Sequence, residues 1–228
     1  MKNLLENDLP EFYGVGRRCL CDENTTSLSE FDLTEDDTQF VVGYKKGYAS
    51  FCGNPFNLSV VNYDTYIGRY TGTKISDGKR RCDFILTDTD TYNIILLCEV
   101  TSSVGGIENL SRPIEKTQKD GTRTVVFPKG KYQKVELQLY QSLEILTEVP
   151  SISSYINKKK RKVCLMSYLI KRTENNAINA FNRNRLMEAE EAGENGAQIS
   201  CPQIEQFGFD YYRISHDYSF KIDNNSKL

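Results

Sequence analysis

Residues 80–101, RRCDFILTDTDTYNIILLCEVT, decide how this chain folds. Two β-prone runs, RRCDFIL and NIILLCEV, flank the polar stretch TDTDTYN, and a pattern of this kind reads as a hairpin. Each run carries one acid among Ile, Leu, Phe and Cys: Asp83 in the first, Glu99 in the second. A carboxylate in such company needs a partner, because unpaired charge near a core is costly. A salt bridge to Arg80, Arg81 or a helix lysine would supply one. So would a divalent cation held against a phosphate.

Working outward, YIGRYTG from Tyr66 and the turn-like SDGK precede the hairpin, so three adjacent antiparallel strands are expected. After it, Ser102 to Gly130 holds Gly105-Gly106, Pro113 and TQKDGTR, which reads as a loop with a small hairpin closing at TVVF. Long ordered loops are often functional. From Lys131 to Thr147 the apolar residues Val135, Leu139, Leu143 and Leu146 recur at helical spacing, and Pro150 ends the run. A second short helix is expected over Ser151 to Lys158. RKVCLMSYLI then has the continuous apolarity of a buried strand, returning parallel after the helical crossover. A helix over Asn176 to Ala192 and one or two strands in FGFDYYRISHDYSFKI complete the chain.

The first sixty or so residues are weakly periodic, with a short helix expected at Ser27 to Phe31 and strands at Gln39 to Gly43 and Leu58 to Tyr63. The expected organisation is therefore an N-terminal region, 1–65, of unassigned role packed on a core of 66–228. The fold class is α/β or, more narrowly, α+β: a mixed β-sheet flanked by helices.

A net charge of -2 and a pI near 5.6 give no general excess of positive charge for nucleic acid. Local clusters do occur, at Lys45-Lys46, at Lys79, Arg80 and Arg81, and at Lys158, Lys159 and Lys160 running on to Lys162. Acidic residues gather at Glu35-Asp36-Asp37 and around Glu188 to Glu194. Charge runs of this kind usually form solvated turns and helix faces. The seven scattered cysteines suggest no disulfide framework, MKNLLENDLPEF has no signal-peptide core, and no apolar run reaches a membrane span. A reducing cytoplasm and no membrane partner are expected.

Competing motifs are weaker. Cys19-Leu20-Cys21 with Cys52 lacks the paired spacing of a zinc site, and His216-Asp217 is the lone imidazole for nucleophilic catalysis. Gly14-Val15-Gly16 opens no dinucleotide-binding turn. The aromatic C-terminal run is of a type that stacks bases or, more often, fills a core.

With the two acids in place, the segment from Tyr66 to Arg172 resembles the PD-(D/E)XK nuclease superfamily, whose core is a helix, three antiparallel strands, a helix and a further strand. That resemblance implies a restriction-endonuclease-like fold. Asp83 matches the acid of the second strand, and Glu99-Val100-Thr101 matches the acid-x-Lys of the third. Cys82 stands where Pro is usual, and Thr101 stands where the lysine belongs. Some members take the lysine from the following helix, which makes Lys131 and Lys134 the candidates. They share a polar stripe with Gln138 and Gln141.

The resemblance implies a metal-dependent nuclease hydrolysing phosphodiester bonds of DNA or RNA, such as the cutting part of a bacterial defence or restriction system. Its Mg²⁺ or Mn²⁺ would sit on Asp83, Glu99 and the Val100 carbonyl, with Thr101 against water or substrate. An acid from the N-terminal part, Glu30 or Asp64, would complete the shell. Lys79, Arg80, Arg81, Lys158, Lys159 and Lys160 would contact phosphates. The alternative is a module of the same fold that lost its lysine and its activity, acting as a nucleic-acid-binding or protein-interaction subunit. A partner protein or a homo-oligomer fits either.

Overall fold

The run Ile94–Thr101 is apolar at nearly every position because both of its faces are covered. The computed structural model describes residues 1–36, 39–43, 48–89, 91–101, 114–117, 123–126, 130–169 and 187–223. Among these, seven strands form one sheet in the order β1 (Glu23–Thr26), β5 (Leu58–Asn62), β6 (Phe84–Asp88), β7 (Ile94–Thr101), β10 (Arg161–Tyr168), β12 (Asp210–Ser215) and β11 (Ala197–Ile199). The strands β2 (Phe31–Asp36), β3 (Gln39–Gly43), β4 (Ala49–Cys52) and β13 (Ser219–Lys221) build a second sheet, and β8 (Ile114–Thr117) and β9 (Arg123–Val126) a separate hairpin.

Alternation along the strands explains the three layers. Ile95 and Leu97 of β7 and Cys164 and Met166 of β10 point into a core shared with helices. Those helices include α1 (Leu9–Phe12), α2 (Tyr63–Gly68), α3 (Lys131–Glu148) and α4 (Pro150–Asn157). Ile94, Leu96 and Cys98, one residue out of phase, meet Phe31, Leu33 and Phe51 of the second sheet. Each fully buried Leu or Ile contributes about 1.5–3 kcal/mol relative to exposure, so a strand apolar on both faces is a strong organiser. The sheet is thus mixed α+β, with helices on one face and a small sheet on the other.

β5, β6 and β7 run antiparallel, and α3 with α4 carries the chain over to β10, which lies parallel to β7. The first strand of that trio is β5 and not the YIGRYTG run. YIGRYTG falls in α2 and the turns after it. Tyr63, Tyr66, Ile67 and Tyr70 are all buried, spaced as one face of a helix. Asn62 caps it, its side chain accepting from the Thr65 amide at 3.0 Å. The boundary expected between residues 65 and 66 falls inside this helix, and the region before it supplies β1 and β5 to the large sheet.

The helices expected at Lys131 and at Ser151 form as α3 and α4, with Val149 extended before Pro150. Ser27 to Glu30 is not helical, and Phe31 opens β2; Asn54 ties the segment down, donating through its side-chain and backbone amides to the carbonyls of Leu28 and Ser29. Residues 187–192 are helical, and the rest of the helix expected from Asn176 lies outside the described residues, as do Lys45-Lys46 and the loop from Ser102 to Pro113. β12 and β13 come from the aromatic C-terminal run and join the two sheets, Phe220 packing in the core between them.

Candidate active site

Asp83 sits one residue before β6, where the strand has drawn level with Glu99 of β7, given the pairing of Phe84 with Cys98. Its amide donates to the Cys98 carbonyl at 3.1 Å, and its Oδ2 accepts from the Val100 amide at 2.7 Å. Its carbonyl accepts from the amides of Tyr63 and Asp64 at 2.7 and 3.2 Å, which seats the N-terminus of α2 on the same residue. Three elements therefore meet at Asp83.

Glu99 points from β7 to the helix layer and is 6 % exposed. Its Oε1 accepts from Gln138 Nε2 at 2.6 Å, while its buried Oε2 has no hydrogen-bond partner among the described residues. Burial pushes its pKa up to about 9, and the charges of Asp83 and Asp64 add to the rise; the Gln138 hydrogen bond and the Lys131 charge oppose it. A second negative charge nearby and a low dielectric act in the same direction.

The segment carrying Asp83 is zipped to α3. The Arg80 amide donates to Gln141 Oε1 at 2.7 Å, Gln138 Nε2 donates to the Arg81 carbonyl at 3.1 Å, and the Cys82 amide donates to Ser142 Oγ at 2.8 Å. The stripe of Lys131, Lys134, Gln138 and Gln141 does face the sheet's acid-bearing edge through its two glutamines. Lys131 is half-buried with its charge felt at Glu99; Lys134, one turn on, is exposed.

Thr101, two residues beyond Glu99 on the same face of β7, is 2 % exposed, and its Oγ1 has no partner among the described residues. The Val100 amide, bound to Asp83, is the part of that residue tied to the site. Of the two N-terminal acids, Asp64 lies at the site, paired with Arg81 Nε at 2.5 Å, whereas Glu30 precedes β2 of the second sheet. Cys21 packs in the helix-side core and Cys52 lies on β4 of the other layer, so these cysteines form no zinc grouping.

The six basic residues expected on phosphates divide. Lys79 pairs with Glu144 at 3.4 Å toward the end of α3, Arg81 pairs with Asp64, and Arg80 is exposed between them. Lys158 and Lys160 are exposed at the far end of the sheet: Lys159 binds Asp88, the last residue of β6, five positions and about 17 Å from Asp83 at the usual rise per residue. Lys159 itself does not reach solvent. It is buried against Asp88 Oδ1 at 2.7 Å and the carbonyls of Asp88 and Thr91, under the rings of Tyr92 and Tyr155, and it serves the fold.

Among the described residues no three or more His, Cys, Asp or Glu side chains gather as a ready metal cluster. Asp83 and Glu99 stand level on neighbouring chain segments, and the charges of Asp83 and Asp64 both act on Glu99. The oxygen donors are of the kind Mg²⁺ and Mn²⁺ take, and the unpartnered Glu99 Oε2 is the atom such a cation would satisfy. No described helix is long and apolar enough to cross a membrane. Comparison with known family models, with curated proteins and with solved structures finds no match.

Proposed function

We propose that the protein is a metal-dependent nuclease that hydrolyses phosphodiester bonds of DNA or RNA, built on a PD-(D/E)XK-like core. The observation that carries this reading is Glu99: a buried acid beside a second acid, with one oxygen unpartnered and its pKa pushed up by burial. A purely structural glutamate would be paired or exposed. The strand order supports the same reading, since β5, β6 and β7 followed by α3 and β10 put Asp83 at the entry to β6 and Glu99 on its neighbour β7.

Asp83, held by the Val100 amide, and Glu99 would hold Mg²⁺ or Mn²⁺. A cation bound there supplies Lewis acidity at the phosphate and lowers the pKa of water. Gln138 orients Glu99, and Lys131 places positive charge where the phosphate gains negative charge. Arg80 and Lys134 are exposed on the flank of α3 for neighbouring phosphates.

The test is cleavage of single- and double-stranded DNA and RNA by the full chain with Mg²⁺ or Mn²⁺, and its abolition in Asp83→Ala and Glu99→Ala. One observation favours the second reading, an inactive nucleic-acid-binding or protein-interaction module: neutral Thr101 stands in the lysine's place. Absence both of cleavage and of a metal-induced thermal shift would decide for that module.

A further inference from the structure

Building on the nuclease reading, we propose that the Thr101 hydroxyl holds the water that attacks phosphorus. Thr101 is 2 % exposed and its Oγ1 is buried without a hydrogen-bond partner among the described residues. An unsatisfied buried hydroxyl costs stability, and valine has nearly the same shape and strand preference without that cost. The hydroxyl therefore has no work in holding the fold.

Glu99 Oε2 is the second unpartnered buried atom on this strand. Residues 99 and 101 alternate to the same face of β7, about 7 Å apart along the strand. Beside them in register on β10 stand Met166 next to Glu99 and Tyr168 next to Thr101, both buried. Two orphaned polar atoms on one face, beside Met166 and the phenol-bearing Tyr168, suit a small ligand that can donate to both once a cation has ionised Glu99. Water has two hydrogens and two lone pairs, and it meets that need while leaving a lone pair for phosphorus.

In the hydrolysis a lone pair of this water forms the new bond to phosphorus. The bond from phosphorus to the leaving oxygen breaks, and its electron pair goes with that oxygen. The attacking water passes the proton it shares with the Glu99 carboxylate to that group and from there to solvent, and the leaving oxygen takes one from solvent, so the net change is one water added across one P–O bond. Thr101 keeps its own proton throughout and acts by position.

The experiment compares the parent, Thr101→Val, Thr101→Ser and Asp83→Ala on fluorescent single-stranded DNA and RNA oligonucleotides, with Mn²⁺ as the metal probe. Thr101→Val is expected to melt at or above the parent temperature and to keep the parent's Mn²⁺-induced thermal shift. Its kcat should fall about a hundredfold with KM little changed, and Thr101→Ser should recover most of the loss. Should Thr101→Val unfold, Thr101→Ala is read by the same kcat criterion. A parent-like kcat without the hydroxyl overturns the water assignment and leaves the nuclease reading standing. Loss of the Mn²⁺ shift in Thr101→Val overturns it in favour of a metal ligand. A parent with no metal-dependent cleavage overturns both readings.

Discussion

Gln138 on α3 and Glu99 on β7 are joined by a 2.6 Å hydrogen bond, and the same amide nitrogen reaches the Arg81 carbonyl at 3.1 Å. One side chain thereby holds an acid of the site and the segment that delivers the other acid. Gln138→Leu should lose both contacts, destabilise the protein by about 1–3 kcal/mol and weaken Mn²⁺ binding about tenfold or more. Titration calorimetry against the parent checks this. Equal Mn²⁺ affinity would mean that the amide does not orient Glu99.

Glu99 makes stability depend on pH in the direction opposite to most carboxylates. Its folded pKa, about 9, lies above its unfolded value, so folding takes up a proton wherever the unfolded chain has lost one. Its contribution therefore falls as pH rises from about 4.3, the usual glutamate value, and levels off above about 9. The slope approaches about 1.4 kcal/mol per pH unit within that window. Glu99→Gln, neutral throughout, should match the parent near pH 4 and exceed it increasingly toward pH 9. Urea unfolding in EDTA measures the difference; parallel stability curves would show that Glu99 titrates normally.

The buried pair of Lys159 and Asp88 answers to different forces. Burial would raise the Asp88 pKa, but hydrogen bonds from Lys159, Thr91 and the Ile94 amide outweigh it, and the group lies below its ordinary value. Its stabilisation is present above the unfolded pKa of about 3.9 and is lost as pH falls through the lower folded value. Lys159→Met should cost about 3–5 kcal/mol at pH 7, since it strands Asp88, and far less once the acid is protonated. The double variant with Asp88→Asn should recover part of the loss. Lys159→Met should leave oligonucleotide affinity unchanged in the folded protein, because Lys159 is 3 % exposed; a large loss of affinity would return it to the phosphate-contacting set.

What could be read in the chain was whatever local periodicity controls. Asp83 and Glu99 stood out because charge inside Ile, Leu and Phe runs breaks a pattern, and α3 because its leucines repeat at helical spacing. The strand expected at Leu58 to Tyr63 forms as β5, but YIGRYTG reads as a strand only because Tyr and Ile favour strands in isolation; Tyr63, Tyr66, Ile67 and Tyr70 recur at helical spacing behind a capping Asn62. Lys159 looked like one member of a solvated charge run. Its burial depends on Asp88, Tyr92 and Tyr155, brought to it by strand pairing and by α4, which no local window contains. The bond from Gln138 to Glu99 is of the same kind: the polar stripe was visible, its partner was not.

The two candidate lysines of α3 can be told apart by function. Lys131 opens the helix, is half-buried, and its charge favours the ionised form of Glu99; Lys134 is exposed on the next turn. A positive group stabilises a phosphate transition state only if it stands where charge develops, in a site poor in water. On the nuclease proposal, half-buried Lys131, whose charge acts on Glu99, fits these conditions better than exposed Lys134. Lys131→Ala should therefore lower kcat about a hundredfold, while Lys134→Ala should alter chiefly the salt dependence of substrate binding, by about one counterion. Lys131→Arg should restore part of the rate, as expected of a charge that acts by position. Parallel kcat and salt-dependence measurements on the three variants check this. If Lys134→Ala proved the slower enzyme, the displaced lysine of this site would be Lys134.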